Sequence, residues 1–177
     1  MVAGGCKSAL ASRELPMSDG RFQQYYWRIR ALLSQKGHLL DWSHPFFDIC
    51  EDYEVEYTGT FRATIVFTDG SLLVVRFTLQ DDDGVEEYDY AYQYLDPQGK
   101  RLFRYDDAPH HPDVSTHPHH LHRGPEPPAH ERDKAYPLDI YRVDFVAVLA
   151  KIEQQYIGAY QILAKSGETQ EDDRAVE

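Results

Sequence analysis

Thiols are scarce in this chain. Of 177 residues only Cys6 and Cys50 are cysteine, they are not in CxxC spacing, and Cys6 falls in a small, polar opening stretch. That argues against a disulfide framework and against a thiolate zinc site. Positive charge is also in deficit: 18 Lys and Arg stand against 30 Asp and Glu, a net charge of -12 at pH 7. A protein that coats nucleic acid draws its affinity from a broad basic surface that displaces counterions, which this composition does not supply. A local basic cleft is compatible with it. The same acidity suits a soluble chain or one that meets a basic partner. Long apolar runs are missing too. None approaches the ~20 residues that cross a bilayer, and residues 1–16 lack a basic region followed by an apolar core. A cytoplasmic protein with no membrane partner is expected.

What the chain holds in quantity is tyrosine and, in one segment, histidine and proline. Thirteen tyrosines suit a pleated, half-buried surface better than a helix bundle. Residues 1–18 read as a flexible leader. After Ser18 and Asp19, either able to cap a helix, Phe22, Tyr25, Tyr26, Ile29, Leu32 and Leu33 recur at helical spacing until Gly37 offers a stop. The period then changes to two. Phe61, Ala63, Ile65 and Phe67 alternate up to an Asp69-Gly70 turn, and Leu73, Val75, Phe77 and Leu79 form the partner strand. Leu72 and Val74 on its other face mark it as central. Asp81-Asp82-Asp83-Gly84 is a solvated turn. Beyond it Tyr88, Tyr90, Tyr92 and Tyr94 should share one face and pack as core rather than stack bases. Asp96-Pro97-Gln98-Gly99 then turns the chain into a strand over 101–105.

Asp139 offers a cap for a closing helix lined by Tyr141, Phe145, Val148, Leu149, Ile152 and Tyr156, and residues 161–177 read as an acidic flexible tail. The expected fold class is α+β: an antiparallel meander of four or five strands packed by an N-terminal and a C-terminal helix. It forms a single domain over 19–160 with a long His/Pro-rich loop, because residues 106–137 hold seven histidines and seven prolines. Such a composition sustains neither a helix nor a central strand.

Six of the nine histidines fall within residues 110–122. Two constellations can be built from them. One is a transition-metal site such as zinc, with Asp106 or Asp107 beside three or four imidazoles, although no helix-borne spacing such as HExxH is present. The other, which needs no cofactor, is acid–base cleavage of a phosphodiester, one imidazole taking the proton of the attacking hydroxyl and another protonating the leaving oxygen. Arg104 would carry phosphate charge and Asp106 would orient a ring. The candidates for chemistry are Arg104, Asp106, His110, His111, His119, His120 and His122, with Tyr105 and Asp107 as substrate contacts. Against both stands a solvated, proline-stiffened loop with no chemistry. His38 and His44, outside the cluster, suit surface or capping roles.

The motifs Tyr88-Asp89-Tyr90-Ala91-Tyr92-Gln93-Tyr94, Phe103-Arg104-Tyr105-Asp106-Asp107-Ala108-Pro109-His110-His111 and Pro118-His119-His120-Leu121-His122 together resemble the TumE family of toxins, over roughly residues 20–155. The resemblance implies the toxin of a two-gene toxin–antitoxin module, held in check by an antitoxin from a neighbouring gene. A ribonuclease is an inference from histidine, arginine and aspartate, with RNA as the partner it needs; the alternative is a non-catalytic interaction or metal-binding protein that uses the same loop. Two positions depart from the family pattern: Asp107 stands where Asn is expected, and Leu121 where Lys is expected.

Overall fold

A computed structural model describes residues 21–41, 47–51, 58–81, 85–140 and 143–157. The leader, the acidic tail, Ser18, Asp19, His44, Tyr141 and residues 82–84 of the acidic turn lie outside the described residues. The chain divides into two units, Met1–Asp139 and Ile140–Glu177. In the first, helix α1 (Arg21–Gln35) and a 3-10 turn (Gly37–Leu39) precede seven strands: β1 (Phe47–Glu51), β2 (Thr58–Val66), β3 (Leu72–Asp81), β4 (Val85–Leu95), β5 (Arg101–Asp106), β6 (His120–Arg123) and β7 (Ala135–Tyr136). They form one antiparallel sheet in chain order.

The fold is thus α+β and a meander, with seven strands among the described residues rather than four or five. β1 and β7 are too short to show a period in the sequence. β6 was hidden by averaging: the prolines of its segment stand at 118 and 125, on either side of a proline-free run of six whose central four residues are free to pair on both edges. Far from being all loop, the His/Pro-rich segment contributes a strand to the interior of the sheet, with β5 on one side and β7 on the other.

One face of the sheet is the core. Phe61, Ile65 and Phe67 from β2 and its end, Leu73, Val75 and Phe77 from β3, Tyr92 and Tyr94 from β4, Phe103 and Tyr105 from β5 and Leu121 from β6 are all buried. The rings of Phe61 and Phe77 stack at 4.7 Å. Helix α1 lies on this face through Tyr25, whose ring meets Phe77 edge-on at 6.1 Å and whose hydroxyl donates to Glu87. Among the described side chains of the helix, Ile29 and Leu33, one turn apart, are the buried ones. The Asp69 carboxylate shapes the β2–β3 turn by accepting the backbone N–H of Ser71 at 2.9 Å, while Gly70 takes the left-handed φ of +84° that the turn requires.

The four tyrosines of β4 do not share one face. Pairing with β3 slips between Arg76 and Thr78, and Asp89 adopts a φ of +45°. Two residues of β4, Asp89 and Tyr90, therefore stand opposite Phe77, a β-bulge that reverses the alternation. Tyr90, Tyr92 and Tyr94 are buried, whereas Tyr88 is exposed. Glu87 comes round to the core face in its place and accepts the Tyr92 hydroxyl. Simple period-two counting misses the bulge because nothing in the side chains announces it.

In the second unit, helix α2 (Phe145–Ile152) is capped by Asp144, whose Oδ1 accepts the Ala147 N–H at 2.8 Å. The cap is Asp144 rather than Asp139; Asp139 belongs to the first unit and accepts the hydroxyl of Tyr105. The helix continues into a π turn, Glu153–Ile157. No described helix is long and apolar enough to cross a membrane.

The bulge makes a direct prediction. Tyr92→Ala should cost about 3–5 kcal/mol, the usual range for deleting a buried aromatic ring, and Tyr88→Ala should stay within about 0.5 kcal/mol. Equal losses in urea unfolding would contradict this placement of the two rings.

A candidate four-histidine site on the polar face of the sheet

The register of β5 and β6 builds the site. Arg104 stands opposite His122 and Asp106 opposite His120. Because side chains alternate along a strand, all four project from the face turned away from the core, while Tyr105 and Leu121, opposite each other, project into it. The turn that leaves β5 then folds His110 and His111 back over the same patch. One ligand-capable atom from each of His110, His111, His120 and His122 lies within 4.8 Å of the other three. The ring centroids of His120 and His122 are 4.8 Å apart, and those of His110 and His120 are 4.7 Å apart. His111, His120 and His122 are buried and His110 is exposed.

Beneath the rings sits Asp106, only 1% exposed. Its Oδ1 is 3.0 Å from Nε2 of His120, and its Oδ2 is 2.8 Å from Nε of Arg104 and 3.7 Å from Nε2 of His122. These are close charge contacts rather than aligned hydrogen bonds: among the described residues nothing is oriented to hydrogen-bond His120 Nε2, Asp106 Oδ2 or Arg104 Nε. The far nitrogens are better served. Nδ1 of His120 lies 2.8 Å from the Pro118 carbonyl, and Nδ1 of His122 lies 3.0 Å from the Lys134 carbonyl.

Beside the patch runs the segment 124–133, whose anchoring to Arg101 sequence reasoning did not find. Arg101, buried, donates through both terminal nitrogens to Asp133 at 2.6 and 3.0 Å and through Nε to the Gly124 carbonyl at 2.8 Å. A fork of this kind fixes position and direction together. Arg101 reaches this side because the β4–β5 register slips so that Leu95 stands opposite Arg101. Even spacing would have paired Leu95 with Leu102 and put Arg101 on the core face. No local sequence signal marks either that slip or the partnership with Asp133, 32 residues on. The result is an open pocket of about 400 Å³ lined by Arg101, Arg104, His110, His111, His122, Glu126, Arg132 and Asp133.

The electrostatics favour the neutral form of two of the imidazoles, His111 and His122. Burial, with the three other histidines and Arg132 nearby, pushes His111 down to about 4. Burial also lowers His122, although Asp133 and Asp106 oppose the shift. Asp133 is held below its ordinary value: burial works against ionisation, but the hydrogen bond from Arg101 and the neighbouring positive charge prevail.

Six of the residues proposed from sequence therefore meet: Arg104, Asp106, His110, His111, His120 and His122. Three stand elsewhere. His119 alternates to the opposite face, where its Nδ1 is 2.8 Å from the Tyr90 hydroxyl and its ring is parallel to that of Tyr90. Tyr105 is fully buried in the core, out of reach of a substrate in the pocket. Asp107 uses Oδ1 to accept the Tyr90 backbone N–H at 2.9 Å, stitching β4 to the end of β5. His38, in the 3-10 turn, is exposed and remote.

Compared with known families, residues 39–156 match the model described as Toxin TumE. The chain belongs to the TumE toxin family. Comparison with curated proteins and with solved structures gives no match. The match begins after α1 and contains all seven strands and the whole pocket. In the TumE frame the two departures acquire a physical meaning. Leu121 faces the core at 1% exposure, so a residue at that position has no direct path to a phosphate in the pocket. Asp107 is raised above its ordinary value by burial, which its backbone N–H bonds only partly offset.

The sign of that shift sets a test. A carboxyl raised by folding adds stability below its unfolded value and loses it as pH climbs through the folded one. Ionised Asp107 is thus a burden at neutral pH. Asp107→Asn keeps the oxygen that accepts from Tyr90 and should raise Tm at pH 7 by about 2–4 °C, the gain shrinking as pH falls towards 3.8. A gain that persists unchanged in acid would contradict this account.

Proposed function

We propose that this chain is the toxin of a toxin–antitoxin pair and that it cuts the sugar–phosphate backbone of RNA in the four-histidine pocket. Membership of the TumE toxin family supports the toxin role. The observation that carries the chemistry is the juxtaposition of imidazoles held neutral with guanidiniums in one open cavity. Arg104 flanks the rings from β5, and Arg132 stands at the mouth with a terminal nitrogen 3.4 Å from Nδ1 of His111. Both guanidiniums suit a phosphate, whose non-bridging oxygens accept paired N–H bonds and gain negative charge as the pentacoordinate state forms. The imidazole cluster makes the attacking 2′-hydroxyl a better nucleophile: the bond from O2′ to phosphorus forms, the bond to O5′ breaks, and the hydroxyl proton ends on the leaving O5′.

The net charge of -12 confines such binding to this pocket, because only a local cluster of arginines offsets it. It also suits a basic docking surface on the antitoxin, the partner expected of a toxin in such a pair.

Purified full-length protein should cleave a single-stranded oligoribonucleotide and leave its 2′-deoxy counterpart intact. Arg104→Ala with Arg132→Ala should slow cleavage by about 100-fold or more, and His119→Ala should leave the rate unchanged. If RNA stays whole, and growth arrest on induction survives His111→Ala with His122→Ala, the site is not catalytic and the toxin acts by docking.

A further inference from the structure

We propose that His110, His111, His120 and His122 hold one divalent transition-metal ion of the zinc class, with Asp106 as its buried counter-charge. The argument starts from the carbonyls behind the rings. A carbonyl oxygen only accepts, so the Pro118 and Lys134 contacts place hydrogen on Nδ1 of His120 and of His122. In the neutral rings both Nε2 atoms then carry lone pairs, and these are the atoms turned towards Asp106. Outer hydrogen bonds of this kind are how proteins orient imidazoles for a metal.

The second step is a mismatch of like groups. Nε2 of His120 is buried, has no aligned partner, and lies 3.0 Å from a carboxylate oxygen. Two lone pairs at that range repel, and a positive charge must stand between or beside them. Arg104 contacts the other carboxylate oxygen, Oδ2; Oδ1 accepts the Ala108 N–H at 3.2 Å, a neutral donor that places no positive charge between this oxygen and His120. A proton on His120 or a cation at the centre of the four rings resolves the mismatch, and only the cation also explains why His110, His111 and His122 gather round the same point.

Geometry and donor type select the ion. Zinc holds imidazole nitrogens at ~2.0–2.1 Å, so tetrahedral ligands sit roughly 3.3 Å apart. The observed span of up to 4.8 Å closes with movements of about 1 Å per side chain. Imidazole nitrogen suits zinc, nickel, copper or iron and disfavours calcium and magnesium. His120 and His122 are fixed by the sheet, His111 is buried, and His110 is exposed. The exposed ligand is the exchangeable one, so that the ion opens towards the pocket where Arg104 and Arg132 wait. In place of direct proton transfer between two rings, the ion would then acidify the attacking hydroxyl. That last role rests on the reading of the pocket as an RNA-cleaving site; the binding of the ion does not.

The test uses full-length protein purified without a histidine tag, stripped with a chelator and titrated with zinc and, separately, with cobalt(II). Binding of one equivalent is expected, with the intense visible bands of four-coordinate cobalt and a rise in Tm on adding zinc. His120→Ala with His122→Ala should weaken binding by more than the about 10–100-fold that loss of an outer-shell partner costs, and His119→Ala should leave it unchanged. Should the double variant fail to fold by circular dichroism, His110→Ala, on the surface, should still shift the cobalt bands. Stripped wild-type protein that takes up no ion, or cobalt spectra of six-coordinate type unaltered by His110→Ala, would overturn the proposal whatever happens to RNA. One tightly held ion with RNA left intact would uphold the metal site and sink the nuclease reading alone.

Discussion

The register in which β6 lies against β5 is the constraint from which the rest of the site follows. Asp106 opposite His120 and Arg104 opposite His122 put an acid, a guanidinium and two imidazoles on one face, within reach of each other before any loop is placed. Two-residue alternation at the same step sends Tyr105 and Leu121 into the core. The apolar pair and the polar quartet therefore depend on each other. Burial of the ring and the leucine locks the register, and the register keeps the chemistry aligned.

Around that nucleus the structure tolerates a concentration of buried polar groups that costs stability. Asp106, His111, His120 and His122 are all under a tenth exposed, and groups of this kind cost free energy unless paired. Part of the compensation is visible in the carbonyls that receive His120 and His122. Part lies in the fork of Arg101 on Asp133, which ties the segment 124–133 to β5 beside the rings. What remains uncompensated sits at the centre of the cluster, where functional sites characteristically keep their unsatisfied groups.

Much of this was legible in the sequence because it rests on period and composition. The alternation of Phe61, Ala63, Ile65 and Phe67, the turns at Gly70 and Gly99, and the helical spacing of Ile29 and Leu33 each report a local preference that the fold keeps. The clustering of His110, His111, His120 and His122 with Arg104 and Asp106 was legible as well, since density of one residue type survives ignorance of the backbone. What escaped was set by non-local geometry. The slip opposite Phe77 moved Tyr88 off the tyrosine face, and the slip at Leu95 brought Arg101 to the polar face. Asp133 joined through a contact spanning 32 residues. Parity, by contrast, is legible: in an extended stretch residues two apart share a face, which pairs His120 with His122 and sets His119 on the other side.

Parity has a last consequence, for how this segment can vary over evolutionary time. The turns over 107–119 and 124–134 run outside the regular pairing, so residues can be gained or lost there with modest effect on the strands they join. Inside the three residues from His120 to His122 no such freedom exists. One residue gained or lost between them would carry an imidazole into the apolar interior and a leucine towards the arginines. Length drift in this part of the chain should therefore accumulate on either side of an indivisible triplet.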